Sequence, residues 1–228
     1  MKSALKVTCF IAFLCVGTSL QSAFAQTKAD IFDPKTPITL LGMDFSLTKF
    51  IGSANNTTVG VNPFGIVHTK DEGKVTNEDF KNNYTLAWNQ LFIDETKKYN
   101  VAKAVHRESI NYALDVTEKA NKAIKKDLFS ENPGDFKTLT EANITTAVKN
   151  YDFGKNQGIG LIFFVEGMSK GMEKEGIWVT FVDMKSKTVL LTVYKENKPG
   201  GFGFRNYWAK PIYTLLKDMD SDFKKWNK

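Results

Sequence analysis

Gly158-Ile159-Gly160-Leu161-Ile162-Phe163-Phe164-Val165-Glu166 is the most continuously apolar stretch beyond the amino-terminus, and its reading decides the fold. As a strand it places Ile159, Leu161, Phe163 and Val165 on one face and Ile162 and Phe164 on the other. A strand apolar on both faces belongs in the middle of a sheet covered on both sides, not at a half-wet margin. The residues after it supply its neighbours. Residues 177–183 and 188–194 read as strands joined by Met184-Lys185-Ser186-Lys187, a loop of hairpin length.

Upstream, 38–45 reads as a first strand, with Gly42 allowing a close approach. Thr76 caps a first helix: Glu78 and Asp79 suit its positive end, and Phe80, Tyr84, Ala87, Trp88 and Leu91 recur at helical spacing. In 108–117, Ile110, Tyr112, Leu114 and Val116 alternate with smaller or polar residues. That reads as a half-buried strand, although Ile110, Leu114 and Thr117 also fit a helical period. Residues 118–137 are charged, end at Pro133-Gly134 and read mostly as loop. Thr138-Leu139-Thr140-Glu141 is a capping-box pattern opening a second helix with Ile144, Ala147, Val148 and Tyr151 on one side. A last helix carries Trp208, Ile212, Leu215, Leu216, Met219, Phe223 and Trp226, with Pro211 in or near its first turns.

The expected fold is a single α/β or α+β domain over 38–228, in the order β-α-β-α-β-β-β-α. Its mixed sheet ends in an antiparallel meander with helices packed on it. A polar lead-in, 26–37, precedes it. The stretch 46–75 is too long for a structureless loop, and hides a short hairpin (65–69 against 73–75) or forms a functional flap.

The amino-terminus changes every count. Lys2 and Lys6 precede an apolar run from Val7 to Val16, and Ala23-Phe24-Ala25 follows, so 1–25 reads as a signal peptide cleaved before Gln26. A lipid anchor at Cys15 is the lesser alternative, because Leu14 is large where such sites take a small residue. The run is too short for a permanent membrane span of about 20 residues, so no transmembrane helix is expected in the mature form. Cys9 and Cys15 lie inside the signal, which leaves the mature chain no disulfide, thiol nucleophile or cysteine metal site. Without the signal, 29 basic residues face 25 acidic ones, a net charge of +4. The only arginines are Arg107 and Arg205. A lysine-rich solvated surface without arginine clusters points away from nucleic acid.

Catalytic and metal sites are not expected, and no cofactor is. His68 lies near Asp71 and Glu72, and His106 beside Arg107 and Glu108. Both read as ordinary polar-loop histidines. Nucleophile elbows, zinc-protease and phosphate-loop motifs do not occur. The carboxylate pairs Asp71/Glu72, Glu173/Glu175 and Asp218/Asp220 read as solvated surface. The leading ligand-binding candidate is Gly200, Gly201, Gly203, Arg205 and Asn206. There, glycines let backbone amides approach a ligand at the start of a helix, and Arg205 offers a fork for an anion. The competing account is a crossover with Phe202 and Phe204 plugging the core, Asn206 as cap and Arg205 paired with an acid such as Glu196. Trp178 and Tyr194, on adjacent strands, read as covered by a helix rather than as a ligand patch.

The runs 177–183, 189–192 and Gly200-Gly201-Phe202-Gly203-Phe204-Arg205-Asn206-Tyr207-Trp208-Ala209, with Leu47-Thr48-Lys49-Phe50-Ile51-Gly52 earlier, resemble a family of exported Gram-negative bacterial proteins without an assigned activity. The element order is similar, more loosely, to the anticodon-binding-like α/β domains of envelope proteins. Examples are the TolB amino-terminal domain and the periplasmic part of the curli secretion channel. Fold-level likeness carries no function by itself. These resemblances imply a periplasmic or outer-membrane-associated module. The expected function is non-catalytic binding of an envelope protein or glycan partner. The alternative is a small-anion or small-ligand binding protein, or a hydrolase, using the 200–206 turn under the 46–75 stretch.

Overall fold

The computed structural model describes residues 25–52 and 75–228 in full, and residues 55–61 and 67–74 by their backbone. The expected signal segment, with Cys9 and Cys15, lies outside the described residues apart from Ala25. In chain order the elements begin with α1 (Lys28–Phe32), β1 (Ile38–Asp44), β2 (Lys49–Ile51), β3 (Asn55–Val61) and β4 (Val67–Lys74). Next come α2 (Asn77–Asp79), α3 (Thr85–Asp94), α4 (Val101–Ala104), β5 (Asn111–Tyr112), α5 (Asp115–Lys122) and β6 (Phe129–Ser130). The chain ends with α6 (Glu141–Lys149), β7 (Ile159–Ser169), β8 (Lys174–Asp183), β9 (Thr188–Asn197) and α7 (Phe204–Asp222). The fold is mixed α/β.

β7 is its spine, and every residue of it is buried. One edge pairs in parallel with β1 and, further along, with β2; the other pairs antiparallel with β8, which pairs antiparallel with β9. β1 and β2 thus act as one strand interrupted at 45–48, flanked by the two-residue parallel strands β5 and β6. The carboxyl-terminal meander is present, but the outer parallel half makes the element order richer than expected. Ile159, Leu161, Phe163 and Val165 join the core formed with Trp88, Phe92, Trp208 and Leu215. Ile162 and Phe164 face the opposite core, with Leu41, Val116, Ile144 and Val148. Fully burying side chains of this size stabilises by about 1.5–3 kcal/mol each, so a polar residue at any of these positions is disfavoured.

The first helix starts as expected. Thr76 Oγ1 accepts the Asp79 amide, the Asp79 carboxylate accepts the Thr76 amide, and a π-helical turn over Phe80–Tyr84 joins α2 to α3. The strand expected over 108–117 is corrected: only Asn111–Tyr112 pair with β1, and the chain then turns helical as α5. That helix takes five residues of the expected 118–137 loop as well. The reason is a need elsewhere. β5 covers only the start of β1, so the outer edge of β1 from Leu41 to Phe45 requires other partners. Side chains provide them. Asn89 of α3 accepts from Met43 N at 2.7 Å and donates to Met43 O at 3.1 Å. Asn121 of α5 accepts from Phe45 N at 2.7 Å and donates to Met43 O at 2.9 Å, and Thr117 donates to Leu41 O at 2.6 Å. Gly42 (φ 104°) is where they close in: a Cβ there would meet Asn89 Oδ1 at 2.5 Å and Thr117 Oγ1 at 2.6 Å.

The 46–75 stretch is also not a plain loop. It contributes β2 and then an antiparallel hairpin, β3 against β4, with Thr57 opposite Asp71 and Val59 opposite Thr69. This pairing is longer than, and differs from, the 65–69/73–75 hairpin. The hairpin forms a two-stranded sheet of its own. The side chains of His68, Asp71 and Glu72 lie outside the described part. The 26–37 lead-in holds α1 and is tied down by Arg107, whose buried guanidinium donates to Ile31 O, Thr36 O and Val105 O at 2.7–3.1 Å. Among the described residues no helix is long and apolar enough to cross a membrane.

Candidate functional site

The chain leaves β9 at Asn197, passes through Lys198-Pro199-Gly200-Gly201-Phe202-Gly203 and enters α7. Gly201 (φ 112°) and Gly203 (φ 79°) adopt backbone conformations that side-chain-bearing residues avoid, which explains the glycines. Gly203, not Asn206, is the cap position of α7, and no side chain caps the helix; Asn206 sits in the first turn. Pro211 is well inside the helix rather than near its start. Lacking an N–H, it leaves the carbonyl of Tyr207, four residues earlier, without its usual helical donor. Gly200 N supplies the missing bond at 2.9 Å, so the proline pins the turn back onto the helix.

Of the two phenylalanines expected in the core, only Phe204 goes there, against Phe50 and Tyr84. Phe202 stands out at the tip, 61% exposed. Arg205 does not reach Glu196, which is held by Lys137 and Lys174 at 3.0 and 2.7 Å. Its side chain is 41% exposed, its guanidinium lies 3.8 Å from Glu95 and donates to Asn206 Oδ1 at 3.2 Å, and its backbone carbonyl accepts from Trp88 Nε1.

Beside this turn lies a cleft of about 390 Å³. Gly200, Gly201 and Asn206, three of the five sequence-selected residues, line it together with Glu95, Lys98, Tyr99, Lys210 and Tyr213. Gly203 and Arg205 flank it instead. Lys210 crosses the face of Gly200, and Lys98 lies over the Tyr99 ring at 5.0 Å and 3.7 Å from Glu95. Lys98 and Arg205 both approach Glu95, at 3.7 and 3.8 Å, and Lys210 lines the same cleft. Tyr99 itself is buried in the core beneath Lys98, so the pattern suits an anionic ligand beside the half-buried Tyr213 ring.

Sequence reasoning missed the polar residues just behind the turn. Glu175, expected on the solvated surface, is 1% exposed. It shares a face of β8 with Ile177 and Val179 and belongs to a row that crosses the sheet in register: Phe129, Phe50, Met168, Glu175, Asn197. Among the described residues neither Glu175 Oε2 nor Asn197 Nδ2 has a hydrogen-bond partner. Burial alone pushes the Glu175 carboxyl well above the ordinary glutamate value. No sequence signal marked it, because Lys174-Glu175-Gly176 looks like the polar end of a hairpin. By contrast Glu166, at the end of the apolar run, accepts from Leu139 N at 2.6 Å and Trp178 Nε1 at 2.8 Å, and holds the approach to α6. Trp178 is buried against Tyr194 in the core beneath α6, as expected.

Other titratable groups serve the fold. Asp44 is fully buried and accepts from Tyr151 Oη and Ser46 N, both at 2.6 Å; burial raises its carboxyl despite those bonds. His106 Nε2 pairs with the backbone carbonyl of Asp220 at 2.9 Å. Among the described residues no group of three or more His, Cys, Asp or Glu is placed to hold a metal. No family model matches the chain, and no curated protein matches it significantly.

Proposed function

We propose that the protein is an exported, non-catalytic binding module of the cell envelope, and that it holds an anionic group of its partner, a carboxylate or phosphate on an envelope glycan, in the cleft beside the 200–206 turn. The observation that carries this reading is that Lys98 and Arg205 both approach Glu95 at the edge of a concave site that Lys210 and Tyr213 also line. Lysine ammoniums read negative charge without demanding one geometry, whereas the Arg205 fork adds direction. The half-buried Tyr213 ring suits the flat apolar face of a sugar. The amino-terminal signal pattern supports export.

The test is a thermal-shift and calorimetric series on the mature chain, residues 26–228, with inorganic phosphate, an acidic polysaccharide and a neutral one at matched ionic strength. A ligand at 100 times its dissociation constant stabilises by about 2.7 kcal/mol. The acidic polysaccharide should raise the melting temperature, and Lys98→Glu with Lys210→Glu should abolish the shift. Equal responses to acidic and neutral polymers, or an unchanged shift in the double variant, would overturn the reading.

A further inference from the structure

Glu175 is the odd residue in its row. On β7 and β2 its neighbours in register are Met168 and Phe50, and Phe50 packs under Phe204 and Trp208 of α7. On β9 its neighbour is Asn197, three residues before the glycine turn. Both Glu175 and Asn197, 1% and 5% exposed, carry a buried atom without a hydrogen bond among the described residues. Unsatisfied buried polar atoms are rare enough in folded proteins to need a reason.

The turn beside them is held at its start: Gly200 N bonds Tyr207 O, Lys198 pairs with Glu173 at 2.7 Å on the surface, and Pro199 is buried. We propose that Glu175 is a proton-operated latch for this turn: neutral, it stays in the core and the turn stays closed on α7; ionised, it draws water into the end of the β8–β9 pair and releases the turn. Between buried Pro199 and buried Phe204 the span 200–203 is three glycines and the exposed Phe202, so it can open without pulling a side chain out of the core.

Charged groups near this corner are engaged elsewhere. Lys195, on the same face of β9, binds Asp222 at 2.8 Å, and Lys198 binds Glu173. On α7, the Tyr207 hydroxyl is raised by burial and by Glu173. Met168 and Phe50 bring no charge from β7 and β2. Nothing described compensates a Glu175 carboxylate, and only burial acts on it.

The latch regulates binding only if the cleft is the binding site, but it is tested without any ligand. Amide hydrogen exchange of residues 26–228 is followed between pH 5 and 8.5, corrected for intrinsic rate, in peptides covering 197–207 and, as reference, 159–169. A carboxyl neutral when closed and ionised when open makes the opening constant rise about tenfold per pH unit between its open-state and closed-state values. That rise should appear in 197–207, stay absent from 159–169 and vanish in Glu175→Gln. If the glutamine variant fails to fold, Glu175→Met serves the same purpose. Equal pH profiles in wild type and variant, or the same rise in 159–169, would overturn the latch. Loss of anion binding with a retained pH-dependent opening would reject only the function of the cleft.

Discussion

Asn121 and Glu175 are both buried polar residues of one sheet, and the structure treats them in opposite ways. At the outer edge of β1, Asn121, Asn89 and Thr117 bond backbone groups of β1 that β5 is too short to reach. At the far end of β8 and β9, Glu175 and Asn197 are buried with atoms left unbonded. A buried polar atom left without a partner costs about 1–3 kcal/mol. The first edge is held together by its polar side chains; the second is weakened by its own. The strand order explains where each arises. β1 lies inside the sheet and must satisfy its backbone, whereas Glu175 sits where β8 meets a turn.

The strongest way to break the first edge is Asn121→Leu. It strips the partner from Phe45 N and removes a donor from Met43 O, so a loss of about 3–5 kcal/mol is expected, read from the urea midpoint. Gly42→Ala attacks the same edge from the backbone side. A methyl there meets Asn89 Oδ1 and Thr117 Oγ1, and φ at 104° is hostile to alanine, so about 2–4 kcal/mol should be lost. A loss below about 0.5 kcal/mol in either variant would mean that the side chains merely decorate the edge.

The opposite sign is expected at the other end. The folded Glu175 carboxyl titrates above its unfolded value, so its contribution is fully present below the unfolded value and is lost as pH rises toward the folded one. Replacing it with an apolar residue of similar length removes that loss. Glu175→Met should therefore stabilise by about 1–3 kcal/mol at pH 8 and by much less at pH 4. Equal gains at the two values, or destabilisation at pH 8, would show that Glu175 makes a contact that favours the fold.

The contrast between these ends also marks how far the sequence could be read. The apolar run 158–166 specified a central strand because both of its faces needed cover, and β7 is buried throughout. The glycines at 200–203 specified an unusual turn beside a helix start for the same kind of reason, a backbone need written in residue type. The α5 helix was hidden because its deciding residues, Thr117 and Asn121, are polar and act at long range on β1, where alternation counts say nothing. Glu175 was hidden for the reverse reason. Its neighbours in sequence are polar turn residues, and the strands that bury it, β7 and β9, are brought there by the fold. One wall of the candidate cleft, Glu95, Lys98 and Tyr99, comes from far upstream of the turn and carries no motif.

The smallest effect on stability is expected at Phe202, and it sharpens the comparison most cleanly. At 61% exposure the ring contributes little to the core, unlike Phe204 two residues on, which packs at 4.6 Å from Tyr84 between ring centroids. Phe202→Ser should shift the urea midpoint by less than the equivalent of about 0.5 kcal/mol, whereas Phe204→Ala should lose about 3–5 kcal/mol. If the cleft is the binding site, Phe202→Ser weakens polysaccharide binding without moving stability, because this exposed ring, next in sequence to Gly201 of the cleft, is freed from water only when a partner covers it. A Phe202→Ser variant that loses stability as Phe204→Ala does would place the ring in the core and remove it from the site. The two phenylalanines, separated only by Gly203, therefore distinguish what the turn does for the fold from what it does for a ligand.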